Sequence, residues 1–103
     1  MAKKEFSPIR QGSRMYTVYV NGTTDNRSDI ADFADATTSQ PFFLKLVYVG
    51  TTGNVALMLE GDTVATTIPS VTGGQWHNMG RVKRILSTGT TADNIFGQYD
   101  FDE

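Results

Sequence analysis

Residues Phe42 to Glu60 constrain the fold more than any other part of the chain. Phe42-Phe-Leu-Lys-Leu-Val-Tyr-Val49 and Asn54-Val-Ala-Leu-Met-Leu-Glu60 are both apolar and β-prone, and Gly50-Thr-Thr-Gly53 lies between them. Two such runs around a short glycine-bounded loop predict a β-hairpin. If Val49 faces Asn54, then Tyr48 faces Val55, Leu46 faces Leu57 and Leu44 faces Leu59. That side is apolar throughout and is expected to be core. The other side pairs Lys45 with Met58 and Phe43 with Glu60, and it is mixed. A one-residue slip would exchange the faces. The expected core therefore comprises Leu44, Leu46, Tyr48, Val55, Leu57 and Leu59.

The chain has 103 residues, the size of one domain of about 100–150 residues. It contains no cysteine, which removes disulfides and thiolate metal sites. Nine basic and eleven acidic residues leave a formal net charge of -2, unlike a dedicated nucleic-acid binder, which carries a basic surface. No apolar run approaches the roughly 20 residues of a membrane-spanning helix. Met1-Ala-Lys-Lys-Glu-Phe6 has charge without an apolar stretch behind it, so it does not read as a secretion leader. Threonine and glycine are abundant and long helix-forming runs are missing, which favours strands and turns.

Residues 1–13 are polar and aperiodic, and read as an extended N-terminal arm. Residues 14–99 read as one β domain and 100–103 as an acidic tail. Arg14–Val20 is an alternating strand, and Asn21-Gly22 is a turn signal. Ser28–Asp35 reads either as a short helix capped by Ser28 or as a loop pinned by Ile30 and Phe33. Glu60-Gly-Asp62 is a turn, and Thr63–Ile68 is a strand with Val64, Thr66 and Ile68 on one face. Pro69 and Gly73-Gly74 punctuate the next loop. Trp76 is the expected anchor of an extended Gln75–Met79. In Arg81–Ser87 the apolar Val82 and Ile85 are three apart, so both reach the core only if a β-bulge intervenes near Lys83-Arg84. Asn94–Tyr99 closes the domain. The expectation is an all-β fold: a small β-sandwich or barrel of about six to eight short antiparallel strands.

Chemistry-bearing patterns are sparse. His77 is the single histidine, and no Gly-x-Ser-x-Gly elbow accompanies it. Asp25, Asp29, Asp32 and Asp35 form an acidic cluster, but Ile30 stands where a calcium loop needs glycine. Glu60 and Asp62 flank a turn glycine, without the aromatic cleft that a glycosidase pair requires. Neither Gly50-Thr-Thr-Gly53 nor Thr72-Gly-Gly-Gln75 ends in the Gly-Lys-Ser/Thr of a phosphate loop. Arg81, Lys83 and Arg84 form one basic patch, suited to an acidic neighbour or to guarding a strand edge. No catalytic, cofactor or metal site is expected. The proposed contact residues are Phe43, Lys45, Val47, Val49 and Met58 on the second side of the hairpin, with Arg81, Lys83 and Arg84. Val82 and Ile85 complete the expected core.

Two blocks carry a resemblance: Leu46-Val-Tyr-Val-Gly-Thr-Thr-Gly-Asn-Val-Ala-Leu-Met-Leu59 and Arg81-Val-Lys-Arg-Ile-Leu-Ser-Thr-Gly-Thr-Thr-Ala-Asp93. Together they resemble the "spike base" family of small tailed-phage and gene-transfer-agent virion proteins. The more specific segment is Ile85-Leu-Ser-Thr-Gly-Thr-Thr-Ala92. The resemblance covers about residues 42–97, with Ser28-Asp29 answering an earlier Ser-Asp of the family, while Gln75-Trp-His-Asn78 departs from its apolar pattern. It implies a non-catalytic structural protein of the capsid surface, made in the host cytoplasm. The role is a spike or fibre base or a head decoration (cement) protein. Its partners would be its own copies, as a trimer or pentamer, and the major capsid protein or a spike or fibre protein; neither nucleic acid nor membrane is implied. The alternative reading is a glycan-binding host-attachment module around Trp76, with Tyr16, Tyr19 or Tyr99 nearby.

Overall fold

The computed structural model describes residues 11–102 and is all-β. Among the described residues there are eight strands: β1 (Gln11–Val20), β2 (Thr24–Asp25), β3 (Leu46–Thr51), β4 (Gly53–Leu59), β5 (Thr66–Val71), β6 (Gln75–His77), β7 (Val82–Ile85) and β8 (Asp93–Asp102). They form a five-stranded sheet ordered β2-β1-β8-β3-β6 and a three-stranded sheet ordered β5-β4-β7, with every pairing antiparallel. The two sheets share one apolar core, making a β-sandwich.

The two runs at Phe42–Glu60 are strands, but they do not pair with each other. β3 pairs with β8 and β6, whereas β4 pairs with β5 and β7. Gly50-Thr51-Thr52-Gly53 carries the chain from one sheet to the other. A tight hairpin turn needs positive φ, and neither Gly50 nor Gly53 has it. Their hydrogen-only side chains serve close approach instead. A Cβ on Gly53 would lie 2.6 Å from the Ala92 nitrogen, and one on Gly73 would lie 2.6 Å from the Gly50 carbonyl oxygen. The hairpin actually made by β4 is with β5, across the Glu60-Gly-Asp62 turn.

Each of these strands therefore chooses its inward side in its own sheet. Along β3, Val47 and Val49 are fully buried, and Leu46 and Tyr48 lie on the outward side, half-exposed. This reverses the expected assignment, in which Leu46 and Tyr48 were core and Val47 and Val49 contact residues. Leu44 is nevertheless buried, as expected. The alternation slips at Lys45: Leu44 exchanges backbone bonds with Val82 in the smaller sheet, while the Lys45 N–H donates to Gln98 in the larger one. One uninterrupted period-two reading cannot follow a chain that changes sheets within it.

β4 is the central strand of its sheet and is buried on both sides. Val55 and Leu57 face the core, and Ala56 and Met58 are buried too. The 86–92 loop covers Ala56: a Cβ on Gly89 would lie 3.2 Å from the Ala56 Cβ, and the Thr90 hydroxyl accepts the Ala56 N–H. Met58 is thus unavailable as a contact residue. Leu59 is only partly buried but packs against the core. Val82 and Ile85 are both fully buried, and the bulge that permits this is present: Arg84 opposes Met58, Val82 opposes Leu59, and Lys83 is the extra residue. Burying aliphatic side chains of this kind is worth about 1.5–3 kcal/mol each.

Other boundaries also move. β5 begins at Thr66 and includes Pro69, where the register shifts and Ser70 takes φ 52°. Proline is tolerated there because β5 is an edge strand with a bulge. Val64 lies before β5 and is exposed, as is Ile68. Gln11–Ser13 belong to β1 and Asp100–Asp102 to β8, pairing with each other, so neither the arm nor the tail has the expected limits. Residues 1–10 and 103 lie outside the described residues.

The segment from Asn26 to Pro41 forms no helix. Ser28 Oγ accepts the N–H groups of Ile30 and Ala31, yet the chain does not continue helically. It is a loop that runs beside β7: Ser28 and Phe33 donate to the carbonyls of Ile85 and Lys83. Phe33 pins it, stacked 5.7 Å from Phe42 and edge-on to Tyr16 at 5.4 Å, whereas Ile30 is 87% exposed. The edge of β7 is thereby covered by this loop instead of being guarded by its own cations.

Candidate interaction surface

The sequence-level contact residues are largely occupied within the chain. Lys45 Nζ pairs with Asp100 at 2.8 Å, Arg81 with Glu60 at 2.9 Å and Arg84 with Asp32 at 2.8 Å. Lys83 Nζ donates to the Asp62 carbonyl at 2.7 Å. Phe43 is half-buried under the Arg81 guanidinium, which sits 4.4 Å from its ring centre. The basic patch is therefore a set of local clamps. The structure brings Arg81 and Lys83 to Glu60, the first through its carboxylate and the second through its carbonyl.

The acidic cluster is likewise committed. Asp29 accepts from the Ser87 and Thr88 hydroxyls and the Thr88 N–H. Asp35 accepts the N–H groups of Thr37 and Thr38, and Asp25 holds the Arg27 guanidinium. These donors hold the carboxyls of Asp25, Asp29 and Asp35 below the ordinary aspartate range, led by the Arg27 hydrogen bond for Asp25 and the Thr88 hydroxyl for Asp29; for Asp35 the Thr38 N–H comes first. Among the described residues no group of three His, Cys, Asp or Glu side chains is arranged to hold a metal. His77 Nε2 donates to the Thr72 carbonyl at 2.8 Å. An open depression of about 320 Å³ beside the β1–β2 turn is lined by Tyr19, Val20, Thr23, Thr24 and Asp25. Its one carboxylate already serves Arg27.

Among the described residues, what remains open is the outward side of the five-stranded sheet. Register sets a row across it: Trp76 opposes Tyr48, Tyr48 opposes Phe96, and Phe96 opposes Thr17. A second row runs from Leu46 through Gln98 to Met15. The Tyr48 ring centre lies 5.4 Å from that of Trp76 and 6.2 Å from that of Phe96. Trp76 is 45% exposed and Met15 59%. Trp76 therefore anchors no core; it caps an aromatic row on the surface. The two rows contain no charged side chain, and the Lys45–Asp100–Ser13 cluster borders them at one end. Neutral aromatic and methionine side chains flanked by a polar rim are the composition of protein contact cores.

The sequence flagged Trp76 but not its neighbours. Tyr16 and Tyr99 lie on the opposite, inward side, packed against Phe42 at 5.0 and 4.2 Å. Tyr19 packs against the core with Arg27 over its ring at 3.5 Å. The aromatic partners of Trp76 are instead Tyr48 and Phe96, which alternation along β8 and a correct inward side for β3 would have revealed. No protein-family profile, curated protein or solved structure matches this chain, so the reading of this surface rests on its own geometry.

Proposed function

We propose that this chain is a non-catalytic structural protein of a tailed-phage virion. It acts at the capsid surface as a spike or fibre base or as a head decoration protein, and works as a homo-oligomer, a trimer or pentamer. One observation carries the reading: among the described residues, the cations and carboxylates named above are tied up in internal clamps, while an aromatic row on the sheet face is left uncovered. Such a face favours large, shape-matched protein contacts. The sequence resemblance in Ile85–Ala92 names the setting in which such contacts are made. The face centred on Tyr48 and Trp76 is the surface on which a capsid or fibre protein would seat.

Cryo-EM of assembled particles tests this. Density for the sandwich on the outer shell, with Tyr48 and Trp76 facing another chain, is the expected result. Absence of the protein from purified particles overturns it. A glycan-binding reading draws on the same exposed Trp76 beside Tyr48, since sugars stack on aromatic rings. A glycan array with the wild-type chain separates the two: the structural role expects no retained glycan.

A further inference from the structure

Most strand edges of this sandwich are closed to partners. β5 carries Pro69 and a bulge, β7 is covered by the loop containing Ser28 and Phe33, and β2 with Asn26 covers β1 from Thr17 to Val20. Among the described residues, three stretches of the five-stranded sheet have no strand beside them: the two-residue β2, β1 around Met15 beyond the reach of β2, and β6; β2 is too short to template a partner strand, which leaves β1 around Met15 and β6. They are the opposite edges of one sheet. Each carries a large apolar side chain, Met15 on one and Trp76 on the other, and both lie on the outward side. These are the most exposed large hydrophobic side chains of that sheet.

Strand direction makes the edges compatible. β1 runs opposite to β8, β8 opposite to β3, and β3 opposite to β6, so β1 and β6 are antiparallel to each other. A second copy in the same orientation therefore offers its β1 antiparallel to β6 of the first. We propose that β6 of one copy adds to β1 of the next, with Trp76 opposite Met15, so that the five-stranded sheet continues from copy to copy. Opposed residues in an antiparallel pair share one side of the sheet, which Trp76 and Met15 satisfy. The same register sets Gln75 against Tyr16, His77 against Arg14 and Asn78 against Ser13. Because the two edges differ, the contact is head-to-tail, and sheet twist turns each copy relative to the last, so that the series closes into a ring where those rotations sum to a full turn. This inference deepens the homo-oligomer reading and rests on it.

The chain contains no cysteine, so introduced thiols report cleanly. Opposed Cα atoms in an antiparallel pair are about 4.5–5.5 Å apart, within disulfide range. Ser13→Cys and Asn78→Cys leave Met15 and Trp76 in place. Mixing the two variants under mild oxidation is expected to give disulfide-linked dimers at least tenfold faster than Val64→Cys gives them. Neither variant alone should do so, and the double variant should form covalent closed rings. Adding Trp76→Ser should slow the cross-link at least tenfold. Dimers from Ser13→Cys alone at the mixed rate would overturn the head-to-tail arrangement. A mixed rate no faster than the Val64→Cys control would overturn the edge contact. Light scattering tells the two levels apart: oligomers without cross-links sink the edge contact alone, while a monomer at every concentration sinks the homo-oligomer reading as well.

Discussion

Both sides of the five-stranded sheet carry large apolar side chains, and these have opposite fates. Inward stand Val18, Val47, Val49 and Ile95, all fully buried, with Gly97 beneath Leu44. Outward stand Met15, Leu46, Tyr48, Trp76 and Phe96, and none of them is fully buried. Hydrophobicity alone would send the outward set inside. Fit decides otherwise. The space between the sheets is filled by compact β-branched side chains, by the rings of Phe33, Phe42, Tyr16 and Tyr99, and by Leu44, whose methyl groups occupy the volume that a side chain at position 97 would need. Interiors are close-packed, so shape selects among apolar residues. A face that is rich in aromatics yet left outside is then a surface for something else to cover.

Charge on the two sides is the sharpest way to break this contrast. Val49→Asp places a carboxylate in the sealed core and is expected to cost about 4 kcal/mol or more, enough to unfold a domain whose whole stability is about 5–15 kcal/mol. Tyr48→Asp, one residue away on the outward side, loses its ring contacts to Trp76 and Phe96 but no core packing, and is expected to cost about 1–2 kcal/mol and leave the domain folded. Circular dichroism melts of the pair read the difference. Met58→Asp is expected to resemble Val49→Asp, because β4 is buried on both sides.

A gentler probe is Gly97→Ala. Its Cβ would lie 2.5 Å from the Leu44 methyl carbons, and overpacking of this kind costs about 1–3 kcal/mol. Combining it with Leu44→Val should recover part of that loss. Additive losses in the double variant would mean that Leu44 and Gly97 are not coupled as described.

Acid should act most weakly and only on the clamps. Asp25, Asp29, Asp35 and Asp100 have carboxyls held below the ordinary aspartate range, with Lys45 the leading cause for Asp100. Depressed folded-state values add stability that is complete above about pH 4 and is lost as pH falls through them. The melting temperature should therefore be flat from neutral pH to near pH 5 and decline below about pH 4. Asp29→Asn, which weakens the tie to Thr88, should shrink that decline. A decline of unchanged size would remove Asp29 from the account.

Much of this architecture was legible before any coordinates. Strand content, the turn at Asn21-Gly22, and the bulge at Lys83 all follow from local pattern, the bulge because two apolar residues three apart can share a side only through an extra residue. Leu44, Val55, Leu57, Val82 and Ile85 were placed in the core correctly. Pairing was not legible. Gly50-Thr51-Thr52-Gly53 has the composition of a hairpin loop and the dihedrals of a sheet crossover, and composition does not report the sign of φ. Once β3 and β4 part, the inward side of β3 is set by β8, far away in sequence. That mispairing puts Leu46 and Tyr48 inward and Val47 and Val49 outward; Met58 lies opposite the core side of β4, as expected, but is buried because β4 is covered on both sides. The mispairing also hides the aromatic row, whose members lie on three strands. For the loop from Asn26 to Pro41 the sequence leaves helix and loop open; a loop pinned by Phe33 is what forms, while Ile30 is exposed and the path of the loop is not legible, for a related reason. Its anchors are backbone bonds to β7 and a ring stack on Phe42, and neither leaves a periodic trace.

Trp76 is the only tryptophan in the chain, and it sits at the end of the row that the account assigns to contact. Acrylamide quenching of its fluorescence, followed while protein concentration is raised through the association transition seen by light scattering, tests that assignment directly. The account predicts that quenching falls and emission shifts to the blue as oligomers form. Oligomers that leave Trp76 as quenchable as in the monomer would contradict it.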